Sequence, residues 1–237
     1  MEKDTVIVIP TFNERQGLPL VLKEIPMERV LQVIVVDNGS TDSSAQVAAE
    51  LGARVIKEPQ KGYGKACLSG IEEALTLSPN VIAFLDADYS DNPAELTLLL
   101  KEIDRGAELV IGSRTLGLAE VGALLPQAIF GNWLSTGLLK FLYGGNSFSD
   151  LGPFRAIRTK SLLALRMRDQ TFGWTVEMQA KALLLNLKCS EISVSYKKRI
   201  GVSKITGTFS GTVKAGVKIL STLFWLRLKW FFKKDFT

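Results

Sequence analysis

Short runs of apolar residues recur along the first half of the chain, and polar residues follow most of them. Continuous apolar runs of this length are typical of strands that are buried on both faces of a parallel sheet. The segments between them carry helix signals, such as Asn92-Pro93, an N-cap residue followed by a first-turn proline. This alternation predicts an α/β domain with a mostly parallel sheet and helices on both faces. The predicted strands cover residues 5–10, 33–36, 54–57, 81–85 and 109–112.

The predicted strand at 81–85 runs directly into two carboxylates, Asp86 and Asp88. Ligands of open α/β sheets bind at the carboxyl ends of the strands, and residues i and i+2 of an extended segment face the same side. Two neighbouring carboxylates repel unless a cation neutralises them, and oxygen ligands of this kind suit Mg²⁺ or Mn²⁺. The pattern therefore predicts a metal ion that bridges to a bound diphosphate. A strand end followed by a helix cap would explain the same residues without a ligand.

Composition narrows the possible chemistry. The 237 residues suit one α/β domain with a well-buried core. The sequence contains no histidine, which excludes Ser-His-Asp and Cys-His catalysis and every histidine metal site. Cys67 and Cys189 lack metal-ligand spacing and indicate reduced thiols of an intracellular protein. We expect no signal peptide, since Glu2, Lys3 and Asp4 lead straight into the first strand.

Positive charge is concentrated at the carboxyl end of the chain. Residues 197–237 carry ten Lys and Arg side chains against one acidic residue, a net charge of +9. The preceding residues, 1–196, carry a net charge of −4. A basic tail on a mildly acidic body indicates an anionic partner, either a membrane surface or a nucleic acid.

Two segments of the second half have the pattern of helices that lie at a membrane surface. Residues 122–143 are almost free of charge, but Pro126 and several polar residues interrupt them, which favours an interfacial or groove-lining helix over a span. Residues 211–237 combine lysines and tryptophans with an apolar face. We therefore expect a domain at 1–210 followed by an amphipathic, basic membrane-surface helix at 211–237. Its predicted apolar face consists of Val217, Leu220, Phe224, Leu228 and Phe231.

Three spaced motifs of the first half resemble those of one enzyme family. Residues 10–14 read Pro-Thr-Phe-Asn-Glu, residues 36–42 read Val-Asp-Asn-Gly-Ser-Thr-Asp, and residues 86–88 read Asp-Ala-Asp. Together they resemble the inverting family 2 glycosyltransferases of the GT-A fold. The resemblance implies a Rossmann-like α/β domain that transfers a sugar from a nucleoside-diphosphate donor with the help of Mg²⁺ or Mn²⁺.

Later motifs, at 150–155, 174–178 and 199–204, resemble the branch of that family that makes dolichyl-phosphate mannose or dolichyl-phosphate glucose. This branch implies a donor of the GDP-mannose or UDP-glucose type and a polyprenyl or dolichyl phosphate acceptor. It also implies a cytoplasmic enzyme that is peripheral on the cytoplasmic face of the membrane. With Leu and Phe interleaved among the charges of the tail, we expect a membrane surface as the partner and no nucleic acid.

The resemblance also assigns donor-binding roles. Pro10, Thr11 and Glu14 would line the nucleoside pocket, and Asp37 would hydrogen-bond the base or the ribose. Gly62 and Gly64, the two glycines of the loop at 61–66, would allow close approach of the nucleotide. Asp86 and Asp88 would hold the metal, with Ser90 near the position of a third ligand.

Four basic residues would gather around the phosphates of donor and acceptor: Arg114, Arg155, Arg199 and Lys204. Guanidinium groups and a metal ion can stabilise the charge that develops on a departing nucleoside diphosphate. A phosphate-monoester acceptor has a second pKa near ~6 and is already ionised at neutral pH, so it needs no strong base.

Alternatives to the lipid acceptor remain at this point. A sugar-hydroxyl acceptor would require a carboxylate base, and Asp150 or Glu177 could serve. Asp150 with Arg155 could instead form a structural ion pair. A non-catalytic protein that binds nucleic acid through its basic tail would show a steep salt dependence. A nucleotidyltransferase of similar architecture would require a glycine-rich loop after the first strand, which residues 10–14 do not supply.

Overall fold

In a computed structural model, the chain folds around one seven-stranded sheet. The structure describes residues 3–144, 148–201 and 209–233. The strands lie in the order β3-β2-β1-β4-β6-β5-β7, and every neighbouring pair is parallel except the two that involve β6. The mostly parallel α/β prediction is confirmed. The strands are β1 (Thr5–Thr11), β2 (Val30–Asp37), β3 (Arg54–Lys57), β4 (Val81–Phe84), β5 (Leu109–Ser113), β6 (Arg155–Arg158) and β7 (Cys189–Ser193).

Helices cover both faces of the sheet. The signal at Asn92-Pro93 is confirmed, because the Asn92 side chain accepts a hydrogen bond from the Ala94 amide and caps a short 3₁₀ turn, Pro93–Glu95. That turn leads into the fourth helix. The α-helices are α1 (Leu18–Glu24), α2 (Ser44–Glu50), α3 (Tyr63–Leu75), α4 (Leu96–Asp104), α5 (Pro126–Tyr143), α6 (Thr159–Leu165), α7 (Trp174–Leu184) and α8 (Phe209–Lys233).

The continuous apolar runs are explained by two cores, one on each face of the sheet. Val6 and Val8 of β1 face the core that α3 and α7 cover, whereas Ile7 and Ile9 face the core that α1 and α4 cover. Alternate residues of a strand point to opposite faces, so a strand between two helical layers is apolar at every position.

One edge of the sheet collects the polar motifs. In the parallel registers, Thr11 at the end of β1 pairs with Asp37 at the end of β2, and β4 runs beside β1 in the same direction. The carboxyl ends of these strands therefore deliver residues 10–14, 37–42 and 86–90 to one rim. The antiparallel strand β6 lies between β4 and β5.

The carboxy-terminal helix α8 packs on α5 and α7 through one stripe and leaves another stripe exposed. Ala215, Leu223 and Leu226 are buried, and the Tyr143 hydroxyl of α5 donates a hydrogen bond to the Leu223 carbonyl at 2.5 Å. The apolar face predicted from the sequence lies on the outside, where Phe224 is 53% and Phe231 is 72% exposed. The helix is thus apolar on two sides, only one of which the domain covers.

The uncharged stretch at 122–143 forms a helix only from Pro126, and it carries exposed Phe130, Trp133 and Phe141 on its outer side. Across the described ranges 3–144, 148–201 and 209–233, no helix combines the length and the apolarity that a bilayer crossing requires.

The first turn of α3 is pressed against a neighbouring loop. The amides of Gly64 and Lys65 donate hydrogen bonds to the carbonyls of Thr171 and Gln170, at 3.2 and 2.9 Å. A Cβ atom on Gly64 would collide with the carbonyl oxygen of Asp169. The glycine is therefore required by this backbone contact.

Replacing Gly64 with Ala should lower Tm, because the new methyl group must displace a backbone carbonyl, at a cost of about 1–3 kcal/mol. The matched control is Gly137→Ala in α5, where an added Cβ meets no atom within 4 Å. That change should leave stability unchanged or raise it by up to about 1 kcal/mol, since Ala restricts the unfolded chain. Thermal unfolding followed by circular dichroism measures both, and a wild-type Tm for Gly64→Ala would contradict the prediction.

Candidate active site

A cavity of about 260 Å³ opens at the rim where β1, β2 and β4 end. We call it the first cavity. It brings together motifs that are far apart in the sequence, as predicted for a donor pocket at the carboxyl ends of parallel strands. The predicted residues that line it are Pro10, Thr11, Glu14, Gly62, Asp86, Asp88 and Arg199.

Two carboxylates, Asp86 and Asp88, form the polar end of the first cavity. Burial and the adjacent Asp88 raise the pKa of Asp86 to about 7. Asp86 accepts a hydrogen bond from the Tyr63 hydroxyl at 3.1 Å. Asp88 is 4% exposed and accepts hydrogen bonds from the amide and hydroxyl of Ser90, at 2.9 and 2.6 Å. The pair therefore concentrates negative charge that a bound cation would stabilise.

Arg199 supplies positive charge to this cluster. Its guanidinium lies 3.0 Å from an Asp88 oxygen and 3.2 Å from a Glu14 oxygen. The next residue is anchored as well, because the Ile200 amide donates to the Asp88 carbonyl at 2.9 Å. The basic segment after β7 thus returns to the carboxylates that follow β4.

The donor set at this rim fits a hard divalent cation. Asp86 and Asp88 offer carboxylate oxygens, which Mg²⁺ and Mn²⁺ prefer. Within the part of the chain that the structure describes, no three acidic or cysteine side chains form a ready-made metal cage. An ion held here would complete its shell with phosphate oxygens and water. Ser90 hydrogen-bonds Asp88 and is itself buried.

A second cavity, also about 260 Å³, meets the first one at Asp86. Arg114 lines its polar end, and α5 and α8 form its walls. Most wall residues are small or apolar, and the glycines among them leave open space, since a Cβ at Gly131 or Gly216 would meet no atom within 4 Å. The wall residues from these two helices are Gln127, Ala128, Gly131, Asn132, Ser135, Ala215, Gly216 and Ile219.

Asp150 holds Arg114 at the mouth of the second cavity. Its carboxylate accepts from Arg114 Nε and Nη2 at 2.8 and 2.7 Å, and from the Arg114 amide at 2.8 Å. Burial opposes ionisation of Asp150, but Arg114 outweighs it and keeps the pKa of Asp150 below its ordinary value. These contacts leave Nη1 of Arg114 to bind an anion.

Two predicted site residues lie behind the cavities. Arg155 is fully buried and donates to the carbonyls of Leu151, Gly152 and Thr175. Burial lowers the pKa of Arg155 to about 10. Glu177 pairs with Lys181 at 2.7 Å and accepts from the amides of residues 168 and 169. Both side chains hold loops that shape the site, and neither lines a cavity.

The glycines of the loop at 61–66 have a structural role besides the predicted close approach of a nucleotide. A Cβ on Gly62 would collide with the Gln170 carbonyl, and Gly64 faces the same loop. Both glycines therefore allow the loop backbone at 169–170 to approach closely. Asp37 is nearly buried and accepts from the Ser40 amide at 2.9 Å. Lys204 falls outside the described residues.

Several cavity residues were not singled out from the sequence. Lys61 lies over the ring of Phe12, with its ammonium 3.7 Å from the ring centroid, at the edge of the first cavity. Tyr63 and Phe172 line both cavities. Tyr63 stands between the two glycines of the motif at 61–66, so the motif pointed to this loop, although only its glycines were given a role.

Residues 6–165 match the sequence model of "Glycosyl transferase family 2". The chain belongs to glycosyl transferase family 2. This family assignment covers the strands and both carboxylates of the first cavity, and it confirms the resemblance of the three spaced motifs.

Relatives extend the family match along nearly the whole chain. An uncharacterized glycosyltransferase of Mycobacterium tuberculosis is 34% identical over 212 residues, which are 88% of this chain and 93% of the relative. The polyprenol monophosphomannose synthase of Mycolicibacterium smegmatis is 28% identical over 225 residues, which are 86% of this chain and 82% of that protein.

Solved structures agree on the fold. Glucosyl-3-phosphoglycerate synthase from Mycobacterium tuberculosis, crystallised with Mn²⁺, uridine diphosphate and glucosyl-3-phosphoglycerate, aligns with a TM-score of 0.73 at 19% identity. The alignment covers 94% of this chain and 79% of that one. It supports the GT-A architecture of this family 2 member.

Asp88→Asn should reduce glycosyl-transfer turnover by at least about 100-fold, because it removes one of the two carboxylates that would hold the cation. A bound metal ion contributes several kcal/mol to transition-state stabilisation. An amide oxygen can still accept from Ser90, so Tm should change little. Asp104→Asn, at a surface carboxylate paired with Arg29, is the control and should retain activity. Near-normal turnover of Asp88→Asn would refute the metal assignment.

Proposed function

We propose that this family 2 enzyme transfers a sugar, with inversion, from a nucleoside-diphosphate donor of the GDP-mannose or UDP-glucose type to a polyprenyl or dolichyl phosphate. The first cavity would hold the donor and Mg²⁺ or Mn²⁺. The relative named polyprenol monophosphomannose synthase supports this acceptor class. We further propose that the enzyme acts as a peripheral protein at the cytoplasmic face of the membrane.

The observation that carries the proposal is the second cavity. It starts at Arg114, which suits an anionic head group, and continues between α5 and α8 along mostly small and apolar side chains. An amphiphile with a phosphate at one end and an isoprenoid tail matches this arrangement. A wholly polar acceptor would leave the helical walls of the cavity without partners.

Different residues would bind the diphosphate of the donor and the phosphate of the acceptor. Bound at Asp86 and Asp88, the metal ion would stabilise charge on the leaving diphosphate. Arg199, 3.0 Å from Asp88, is close enough to contribute a second positive charge. Arg114, fixed by Asp150, would orient the acceptor phosphate, which is already ionised at neutral pH because its second pKa is near ~6. The acceptor oxygen would attack the anomeric carbon as the bond to the diphosphate breaks.

The burial of the two candidate bases weighs against a sugar-hydroxyl acceptor. Asp150 is fully buried and bidentate to Arg114, and Glu177 is paired with Lys181. Neither lines a cavity, so neither is within reach of a bound hydroxyl. A phosphate acceptor avoids this requirement.

Incubation with radiolabelled GDP-mannose or UDP-glucose and a short polyprenyl phosphate should give a product that partitions into organic solvent. Gly131→Leu, which fills the second cavity, should lower that yield at least about tenfold, since several methylene groups of acceptor contact are worth roughly 0.8 kcal/mol each. Gly137→Leu, on the exposed side of the same helix, is the control. Label that appears only in a water-soluble product would refute the lipid acceptor.

The proposed membrane partner would bind the exposed faces of α5 and α8. Their uncovered side chains include Trp133, Phe224, Trp225 and Phe231, each more than half exposed. Aromatic side chains and nearby lysines on such helices favour the interface of an anionic bilayer. Arg227 and Lys229 can reach the head groups from this position.

The protein should sediment with anionic vesicles at low salt and less so at high salt, since each Lys or Arg near the surface contributes about 1 kcal/mol. The double substitution Phe224→Ser and Phe231→Ser should weaken binding strongly without changing Tm, because both side chains face solvent. Leu98→Ser, at a partly exposed leucine of α4, is the control. No sedimentation of the wild type at low salt would contradict the proposal.

A further inference from the structure

Tyr63 stands at the point where the two cavities meet. Only three side chains line both cavities among the residues that the structure describes: Tyr63, Asp86 and Phe172. Asp86 is a candidate metal ligand, and Phe172 is apolar. Tyr63 is therefore the one neutral hydrogen-bonding side chain that this boundary contains.

The two carboxylates are held very differently. Asp88 receives two hydrogen bonds from Ser90 and an ion pair from Arg199. Asp86 receives one hydrogen bond among the described residues. The Tyr63 hydroxyl donates it to Oδ1 of Asp86, at 3.1 Å. A carboxylate that keeps a single partner depends on it for its rotation about the Cβ–Cγ bond.

The tyrosine itself is rigidly placed. It is the first residue of α3, and the two residues that follow it are hydrogen-bonded to the backbone of residues 170 and 171. Its ring packs edge-on against Trp174, with centroids 6.1 Å apart. Trp174 is fully buried and packs in turn on Phe84, at 4.7 Å. The hydroxyl therefore reaches Asp86 from a fixed position.

We propose that Tyr63 is a positioning residue that orients Asp86 for the divalent cation of the donor complex. This inference rests on the proposed metal dependence and deepens it. The hydroxyl occupies one oxygen of Asp86 and leaves the other for the ion. Outer partners of this kind fix the orientation of a ligating side chain, and their loss typically weakens metal binding about 10–100-fold.

The test is Tyr63→Phe, which removes the hydroxyl and keeps the ring against Trp174. Mn²⁺ affinity, measured by electron paramagnetic resonance in the presence of UDP or GDP, should fall at least about tenfold. Affinity for the same nucleotide in EDTA should stay at the wild-type value, because the proposed role of the hydroxyl is to orient Asp86. Turnover should fall with an unchanged KM for the acceptor, and Tm should be retained. Tyr143→Phe, which loses a hydrogen bond to Leu223 in the helical layer, is the control and should bind Mn²⁺ normally.

Wild-type Mn²⁺ affinity in Tyr63→Phe would overturn the inference. So would a parallel loss of Mn²⁺ affinity, metal-free nucleotide affinity and Tm, which is the signature of a general packing role. Failure of the wild type to bind Mn²⁺ with either nucleotide would overturn it too. None of these readings involves the acceptor, so a protein whose Mn²⁺ affinity depends on Tyr63 but which makes no lipid product would refute only the proposed acceptor.

Discussion

The repulsion between Asp86 and Asp88 is the constraint on which the rest of the site depends. Both carboxylates follow the same buried strand, and both lie at a rim where water has limited access. Charge at such a place is costly unless opposite charge or hydrogen-bond donors are close. Arg199, from the segment after β7, supplies the opposite charge. Ser90, from the turn after β4, and Tyr63, from the start of α3, donate hydrogen bonds to the two carboxylates. Three separate parts of the sequence thus meet at one pair of side chains.

The antiparallel strand β6 positions the part of the rim that borders the second cavity. It lies between β4 and β5, so the turn that precedes it reaches the rim beside Asp86 and Arg114. This turn places Asp150 against Arg114, 36 residues away in sequence. Arg155, at the start of β6, fixes the same turn by donating to the carbonyls of Leu151 and Gly152. The ion pair with Asp150 and the turn held by the buried Arg155 together fix the position of Arg114 at the second cavity.

The strands β1 to β5 and the meeting of the motifs at one rim could be predicted from the sequence. The apolar runs define strands with helices on both faces, and parallel strands bring their carboxyl ends to one edge. Residue types alone could not separate groups that line a cavity from groups that support it. Arg155 and Glu177 have the chemistry expected of site residues, but their partners are carbonyls and amides behind the cavities. Such partners come from tertiary packing and leave no periodic signal.

The position of α8 could not be read from periodicity either, because the helix is apolar on two sides. Packing on α5 and α7 buries the stripe with Leu223 and Leu226, and Lys218 pairs with Asp169 at 2.7 Å. The carbonyl of Asp169 is also the group that Gly64 must accommodate, and Phe172, three residues later, lines both cavities. A continuous series of contacts therefore joins the exposed helix to the first turn of α3. Because the first and second cavities share this loop as a wall, their shapes depend on how α8 packs against it.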